Sequence, residues 1–500
     1  MIIKVYCTRL SLIRTVRHMH LIFYSRTGWE SWGLGRQLLI PEGMPVLIDD
    51  DLALEDDGVP RPTVAANRWL RELPLNGARS RKTWKNYAQA LRCWLEFLAQ
   101  IGVDPLGERQ PLRDALSAFS EYRFAGPLEA RWDEGTWDQN INTVARFYAW
   151  AEDEGVCASV PFTYQMVRRY TEAGVQLARR NTATVRRAKP HVTVKYLESD
   201  FLELFLRALA GLRPDGEPDS FRGRHLGRNA AMGALVSSSG LRAQEFTHLL
   251  TYELPILPAR SSAVPVRFPL SAQITKGKKP RETWVSYNPL ADMNQYVELD
   301  RAMLTEGRQY SPDPRLGEPL VITEPDWEGG KVNGRRVSWR KLTLNERLRL
   351  VTPEGAPAII AVQSDGTPFV DWATVFRRTS ERIRRDFEPR FPTVGPHVLR
   401  HTFAMATLER LVKGHYQRAA ALVADADEDA ALSLYLTKAD PLMVLRDLLG
   451  HSSVTTTEIY IQRLDVQRIY RELYEEAGKY SGPAAAEANA EFADEEDAAW

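Results

Sequence analysis

The chain has 500 residues, with 65 Lys and Arg balanced by 65 Asp and Glu, 44% hydrophobic and 10% aromatic residues. That is length for about three domains and enough apolar material to exclude a disordered or fibrous chain. The balance hides an asymmetry: the last twenty residues carry six acids, Glu487, Glu491, Asp494, Glu495, Glu496 and Asp497, and no Lys or Arg, so the rest holds a surplus of six positive charges. Such a surplus permits a polyanionic partner wherever the basic residues cluster.

Residues 1–60 read as a small N-terminal domain or arm, with extended pieces (LIFY, LLIP, MPVLI) followed by an acidic run from Asp49 to Asp57. Arg9, Arg14, Arg17, His18 and His20 break the apolar patches before any run is long enough for a signal core or a membrane span. Only Cys7, Cys93 and Cys157 are present, in no zinc or redox spacing, so neither metal nor disulfide scaffold is expected and a reducing, cytoplasmic setting is. P-loop, zinc-protease and dinucleotide fingerprints are absent from the sequence, which removes those chemistries.

Residues 62–180 read as a helical domain. Trp84, Tyr87, Leu91, Trp94, Leu95 and Leu98 recur at helical spacing between Ser80 and Gly102, and Trp137, Ile141, Val144, Phe147, Tyr148 and Ala151 repeat the pattern before Gly155. These stripes are core. The polar side gathers Arg79, Arg81, Lys82 and Lys85, and a second basic run holds Arg168, Arg169, Arg179, Arg180, Arg186, Arg187 and Lys189. We read this run as a strap, ending in a linker at 181–194, able to lie along a phosphate backbone.

From 195 to 475 helical periodicity returns, interrupted by two strands (VPVRFPLS, and AQITKGKKPRETWVSY with its basic turn) and by an irregular, charge-mixed stretch over about 286–355. The acidic segment 481–500 is expected to be a disordered tail.

Four patterns in this half carry chemistry. Gly240-Leu241-Arg242 feeds a helix start where free N–H groups favour anions, with Glu245 one turn on to hold the guanidinium. Lys276, with Lys278 as rival, sits on a basic turn where a lysine can donate a proton. His397 and Arg400 are three apart on one helix face, beside His401. Leu449-Gly450-His451 precedes Tyr460 by a short interval. Two arginines, a lysine, two histidines and a tyrosine are together the parts needed for metal-free transesterification at phosphorus. The guanidinia neutralise nonbridging oxygens, the phenol attacks, and an acid protonates the leaving alkoxide.

These ordered motifs resemble the tyrosine recombinase (phage integrase) family. The resemblance implies a mainly α fold with a small β-sheet or hairpin: a helical core-binding domain, more loosely matched over 62–190, and a mixed α+β catalytic domain at 195–475 with an insertion near 300–355. It further implies that Tyr460 forms a 3′-phosphotyrosyl link, Arg242 and Arg400 clamp the phosphate, Lys276 protonates the leaving 5′ oxygen, His397 transfers a proton and His451 binds a phosphate oxygen. Glu245, Lys278 and His401 would support them. No cofactor is implied. The partners would be double-stranded DNA, three further copies of the chain in a tetramer on two sites and accessory DNA-bending proteins, with Ile469, Tyr470 and Leu473 as a docking stripe. A relaxing enzyme resembling type IB topoisomerases, and a DNA-binding regulator that kept the fold, are the alternatives.

Overall fold

The computed structural model describes residues 18–25, 40–78, 80–157, 159–171, 174–185, 195–424, 441–451, 457 and 460. The chain divides into two compact units, residues 1–190 and 191–500.

In the first unit, β1 (Met19–Phe23) pairs antiparallel with β2 (Pro45–Asp49), and β3 (Glu55–Asp56) with β4 (Val59–Pro60). Four helices follow: α1 (Pro62–Glu72), α2 (Arg81–Ile101), α3 (Arg109–Ala125) and α4 (Glu134–Asp153). The two aromatic stripes form one core, with Trp94 Nε1 donating to the Tyr148 phenol at 3.0 Å and that phenol donating to Pro105 O at 2.8 Å. α2 starts after Ser80 and closes at Gly102 in the left-handed region. α3 lay outside the sequence expectation, because charges interrupt its short apolar stripe of Leu112, Ala115 and Phe119.

The β1–β2 hairpin is no detached arm, since Met19, Met44 and Leu47 are buried in the helical core. The acidic run is turned to a structural use. Asp49, Asp51 and Asp56 accept from the buried guanidinium of Arg61, so part of this negative charge is satisfied within the unit.

The basic strap is corrected over its first part. Residues 164–181 form a hairpin, β5 (Tyr164–Thr171) with β6 (Gly174–Asn181), in full register from Tyr164↔Asn181 to Thr171↔Gly174. Neither strand shows a period of two, because apolar and charged residues come in adjacent pairs, Met166-Val167 before Arg168-Arg169 and Leu177-Ala178 before Arg179-Arg180. Arg186, Arg187 and Lys189 lie outside the described residues.

The second unit is built on α5 (Ser199–Leu209), α6 (Leu226–Ser239) and α7 (Ala243–Thr247), the hairpin β7 (Val266–Leu270) with β8 (Arg281–Val285), and α8 (Tyr287–Tyr296). The stretch taken as irregular is ordered. β9 (Leu320–Thr323), β10 (Gly329–Val332), β11 (Arg335–Ser338) and β12 (Leu350–Val351) form a four-stranded sheet in the order β11-β10-β9-β12, with α9 (Leu344–Arg349) preceding its last strand. Its strands of two to four residues are too short to show periodicity. Its own small core comprises Ile322, Trp339, Leu350 and Ile359. A buried ion pair, Arg347 Nη1 to Glu253 Oε2 at 2.5 Å, ties this insertion to the segment just after α7.

Helices α10 (Trp372–Asp386), α11 (Pro396–Ala424) and α12 (Pro441–Leu449) complete the unit. Its core includes Phe205, Met232, Leu235, Phe246, Trp372, Phe376 and Leu399. The architecture is mainly α with small sheets, as the sequence predicts. Ile469, Tyr470, Leu473 and the 481–500 segment lie outside the described residues. Among the described residues no helix is long and apolar enough to cross a membrane.

Candidate active site

The site begins where α6 ends. Gly240 closes that helix at φ +62°, and a Cβ there would stand 2.3 Å from the Phe403 ring, so both conformation and space require glycine. The turn delivers Arg242 to the N-cap of α7. Glu245 folds back on it, accepting from the Arg242 main-chain N–H at 2.7 Å and from its Nη1 at 3.1 Å.

A residue given no role from the sequence completes this arrangement. Arg281, first in β8, donates through Nε to Glu245 Oε1 at 3.0 Å and through Nη2 to Oε2 at 2.6 Å. Its Nη1 donates to Leu448 O. The Glu245 side chain is fully buried and that of Arg281 is 6% exposed. Burial alone would raise the Glu245 carboxyl, but Arg281 and then Arg242 outweigh it and hold it below the usual carboxylate range.

Helix α11 supplies the second cation. Leu399, fully buried, and Phe403 fix its inner face, each apolar side chain of this size stabilising by about 1.5–3 kcal/mol when buried. The buried Arg400 donates to Gly240 O at 2.5 Å and, through Nη2, to Leu449 O. Arg242 Nη2 donates to the same Leu449 carbonyl at 3.0 Å and to Gly450 O at 3.1 Å. Each guanidinium carries five N–H donors, more than these acceptors take up among the described residues.

Two guanidinia (Arg242, Arg281) thus bond one buried carboxylate, and a third, Arg400, stands in its field while donating to main-chain carbonyls. Burial, then Arg242 and Arg281, push Arg400 down to about 9. The surplus positive charge in a half-dry place is what an anion would relieve.

Gly450, at φ +60°, turns the chain out of α12, and a Cβ on it would lie 2.7 Å from Arg281 Cδ. His451 follows at once, its Nδ1 3.0 Å from the hydroxyl of Thr457. Burial, reinforced by Arg400 and Arg242, lowers His451 to about 4. Tyr460 is 1% exposed, packed with Phe403, Leu445 and Leu449. Its phenol oxygen is 2.7 Å from His401 Nδ1. Burial raises Tyr460 to about 12 against the opposing pull of Arg400 and Arg242, and burial with His397 and Arg400 lowers His401 to about 4. At neutral pH the phenol therefore carries the proton and the imidazole nitrogen accepts it.

The remaining sequence candidates stand at the rim. His397 is exposed, its ring 5.0 Å from that of His401. Burial of its inner part, then Arg400, Arg242 and Lys276, lower its basicity, which puts Lys276 within electrostatic reach. Lys276 is exposed in a short turn between β7 and β8, and Lys278 beyond it adopts φ +55°. Arg81, Lys82 and Lys85 are exposed on the first turns of α2, and Arg179 and Arg180 lie on β6. Arg79 is outside the described residues. Among those residues no group of His, Cys, Asp and Glu is arranged to hold a metal ion.

Comparison with known proteins gives likenesses of three kinds. Residues 66–155 match the phage integrase N-terminal SAM-like domain. Tyrosine recombinase XerC of Bradyrhizobium diazoefficiens is 29% identical over 262 residues, covering 51% of this chain and 65% of that protein, so the chain spans under two thirds of the length of this relative. Among solved structures, XerH site-specific recombinase bound to palindromic difH substrate in a post-cleavage complex overlays at a TM-score of 0.42 with 14% identity, covering 84% of this chain and 88% of that one. The Tn1549 transposon integrase in complex with circular intermediate DNA gives 0.43 and 13%, covering 79% and 94%. The chain thus carries an integrase-type helical domain over residues 66–155 and a stretch of sequence similar to a tyrosine recombinase.

Proposed function

We propose that the protein is a site-specific DNA recombinase, the integrase or transposase of a mobile element, that cuts and rejoins double-stranded DNA through a 3′-phosphotyrosyl intermediate. The observation that carries this reading is the convergence of Arg242 and Arg400 on the Leu449 carbonyl, beside His451 and Tyr460. Two guanidinia with donors to spare fit the nonbridging oxygens of a phosphodiester and the charge that grows on them during attack.

In the proposed reaction the Tyr460 oxygen forms a bond to phosphorus as the bond from phosphorus to the 5′ oxygen breaks. The phenol gives up its proton to His397, and the leaving 5′ oxygen gains one from Lys276. His451 donates to a nonbridging oxygen and His397 serves proton transfer. Attack by a 5′ hydroxyl reverses the sequence, and because the link conserves the bond, no nucleotide hydrolysis is required. The work is divided among four protomers on two paired duplexes, with accessory bending proteins shaping the DNA.

The test uses a suicide-nicked duplex carrying the end of the element that encodes the protein. The unmodified protein should yield a covalent protein–DNA adduct that Tyr460→Phe does not. A duplex that is bound without any adduct would overturn the reading.

A further inference from the structure

The β5–β6 hairpin is absorbed by nothing described so far. It is a two-stranded sheet of eight residues on each side, and an isolated pair of strands is marginal in water unless something covers it. The register puts Met166 opposite Arg179 and Arg168 opposite Leu177. Directly paired residues share a face, so one face of the ribbon carries two apolar and two cationic side chains. Met166 is 62% and Leu177 68% exposed, and Arg168 and Arg179 are exposed as well.

The base is held firmly. The Arg179 guanidinium lies 3.9 Å from the centre of the Tyr164 ring, and Arg180 donates to Thr184 Oγ1 at 3.3 Å and to Val185 O at 3.1 Å. Between Tyr164 and Asn181 the sequence has Arg168, Arg169, Arg179 and Arg180 against the single acid Glu172. That imbalance selects a polyanion over a second protein surface.

We infer that this hairpin is a DNA-reading ribbon that lies in the major groove, an inference that rests on the recombinase reading for its substrate class. A pair of strands fits the groove, which is about 12 Å wide, and eight residues at about 3.3 Å each reach some 26 Å along it. Arg168 is placed for a guanine edge or a phosphate. Met166 and Leu177 are placed against thymine methyl groups, the apolar feature that the groove offers. A contact with phosphates alone would leave two large apolar side chains in water without purpose.

The experiment uses the full chain and a duplex that the unmodified protein selects from randomised DNA. Arg168→Gln should weaken binding about tenfold and reduce the slope of log affinity against log salt by about 0.9 if it meets a phosphate, or relax base preference at one position with little change in slope if it meets a base. The pair Met166→Ala and Leu177→Ala should weaken the selected duplex several-fold, leave the salt slope unchanged and restore dimethyl sulfate reactivity at guanine N7 in the contacted groove. Circular dichroism matching the unmodified protein secures the fold of each variant. Unchanged affinity, slope and groove protection in both variants would overturn the ribbon, as would a defect confined to self-association in sedimentation. Adduct formation by the unmodified protein separates the two ideas. An adduct with indifferent ribbon variants sinks the ribbon alone, whereas ribbon-dependent binding without an adduct sinks the recombinase reading alone.

Discussion

The phenol oxygen of Tyr460 and Nδ1 of His401 lie 2.7 Å apart across a packed boundary, the tyrosine 1% exposed. The resting phenol is therefore a satisfied, protonated group, and in the proposed reaction it has to leave this partner to attack phosphorus. Replacing Tyr460 by Phe keeps the packing and removes only the hydroxyl. The expected result is loss of the covalent adduct, DNA affinity within about twofold and a stability cost of about 1 kcal/mol. Adduct yield on a denaturing gel and urea unfolding measure both.

His401→Leu strands the phenol hydroxyl in an apolar pocket, which costs about 1–3 kcal/mol. In the double variant with Tyr460→Phe that penalty should largely disappear, because no unpaired polar group remains. A double-mutant cycle by urea unfolding reads the coupling directly, and purely additive losses would show that the contact carries no energy.

Arg281→Gln leaves the buried Glu245 with Arg242 as its remaining cation. Breaking a buried pair from one side costs about 3–5 kcal/mol, so a large fall in the urea midpoint is expected. Adding Glu245→Gln should recover part of it. Adduct formation by the double variant then separates positioning from folding. A stable protein with a slow cleavage rate would mark Arg281 as holding the Arg242 end of the site in place.

Arg347→Met, at the root of the insertion, should destabilise by a similar 3–5 kcal/mol, since Glu253 and the carbonyls of His248 and Trp339 all lose their donor. Protease sensitivity confined to the 300–355 region would locate the damage. Resistance there would mean that the insertion is held by its own small core.

Acid should weaken the second unit through its histidines. His401 and His451 both titrate near 4 in the folded protein, below the ordinary value of about 6.5. Between these values the unfolded chain binds more protons, so stability is fully present above about 6.5 and is lost as the pH falls toward 4. Urea midpoints at pH 7 and pH 5 should differ, and His451→Asn should flatten the difference. An unaltered pH slope in that variant would exclude His451 as a source.

Three of the four short motifs were legible because each places its residues within one turn or one helix, where spacing alone fixes geometry. Arg281 was not legible. It stands 36 positions from Glu245, and only the register of β7 with β8 brings the two together. The sheet in the insertion escaped because its strands are so short. One signal for it did exist in Asn333-Gly334, an adjacent pair at positive φ that turns β10 into β11. The hairpin at 164–181 was misread because its apolar and charged residues come in adjacent pairs, so neither strand shows the period of two that marks a half-buried strand.

The Leu449 carbonyl serves Arg242 and Arg400 at once. Since the acceptor is main chain, any side chain at position 449 leaves it chemically unchanged, and comparing residue identities there would not reveal the tie. What moves it is displacement of the peptide itself. A shift of the segment leading to Tyr460 would loosen both guanidinia together, so in the proposed reaction grip on the phosphate and delivery of the attacking oxygen share one mechanical joint.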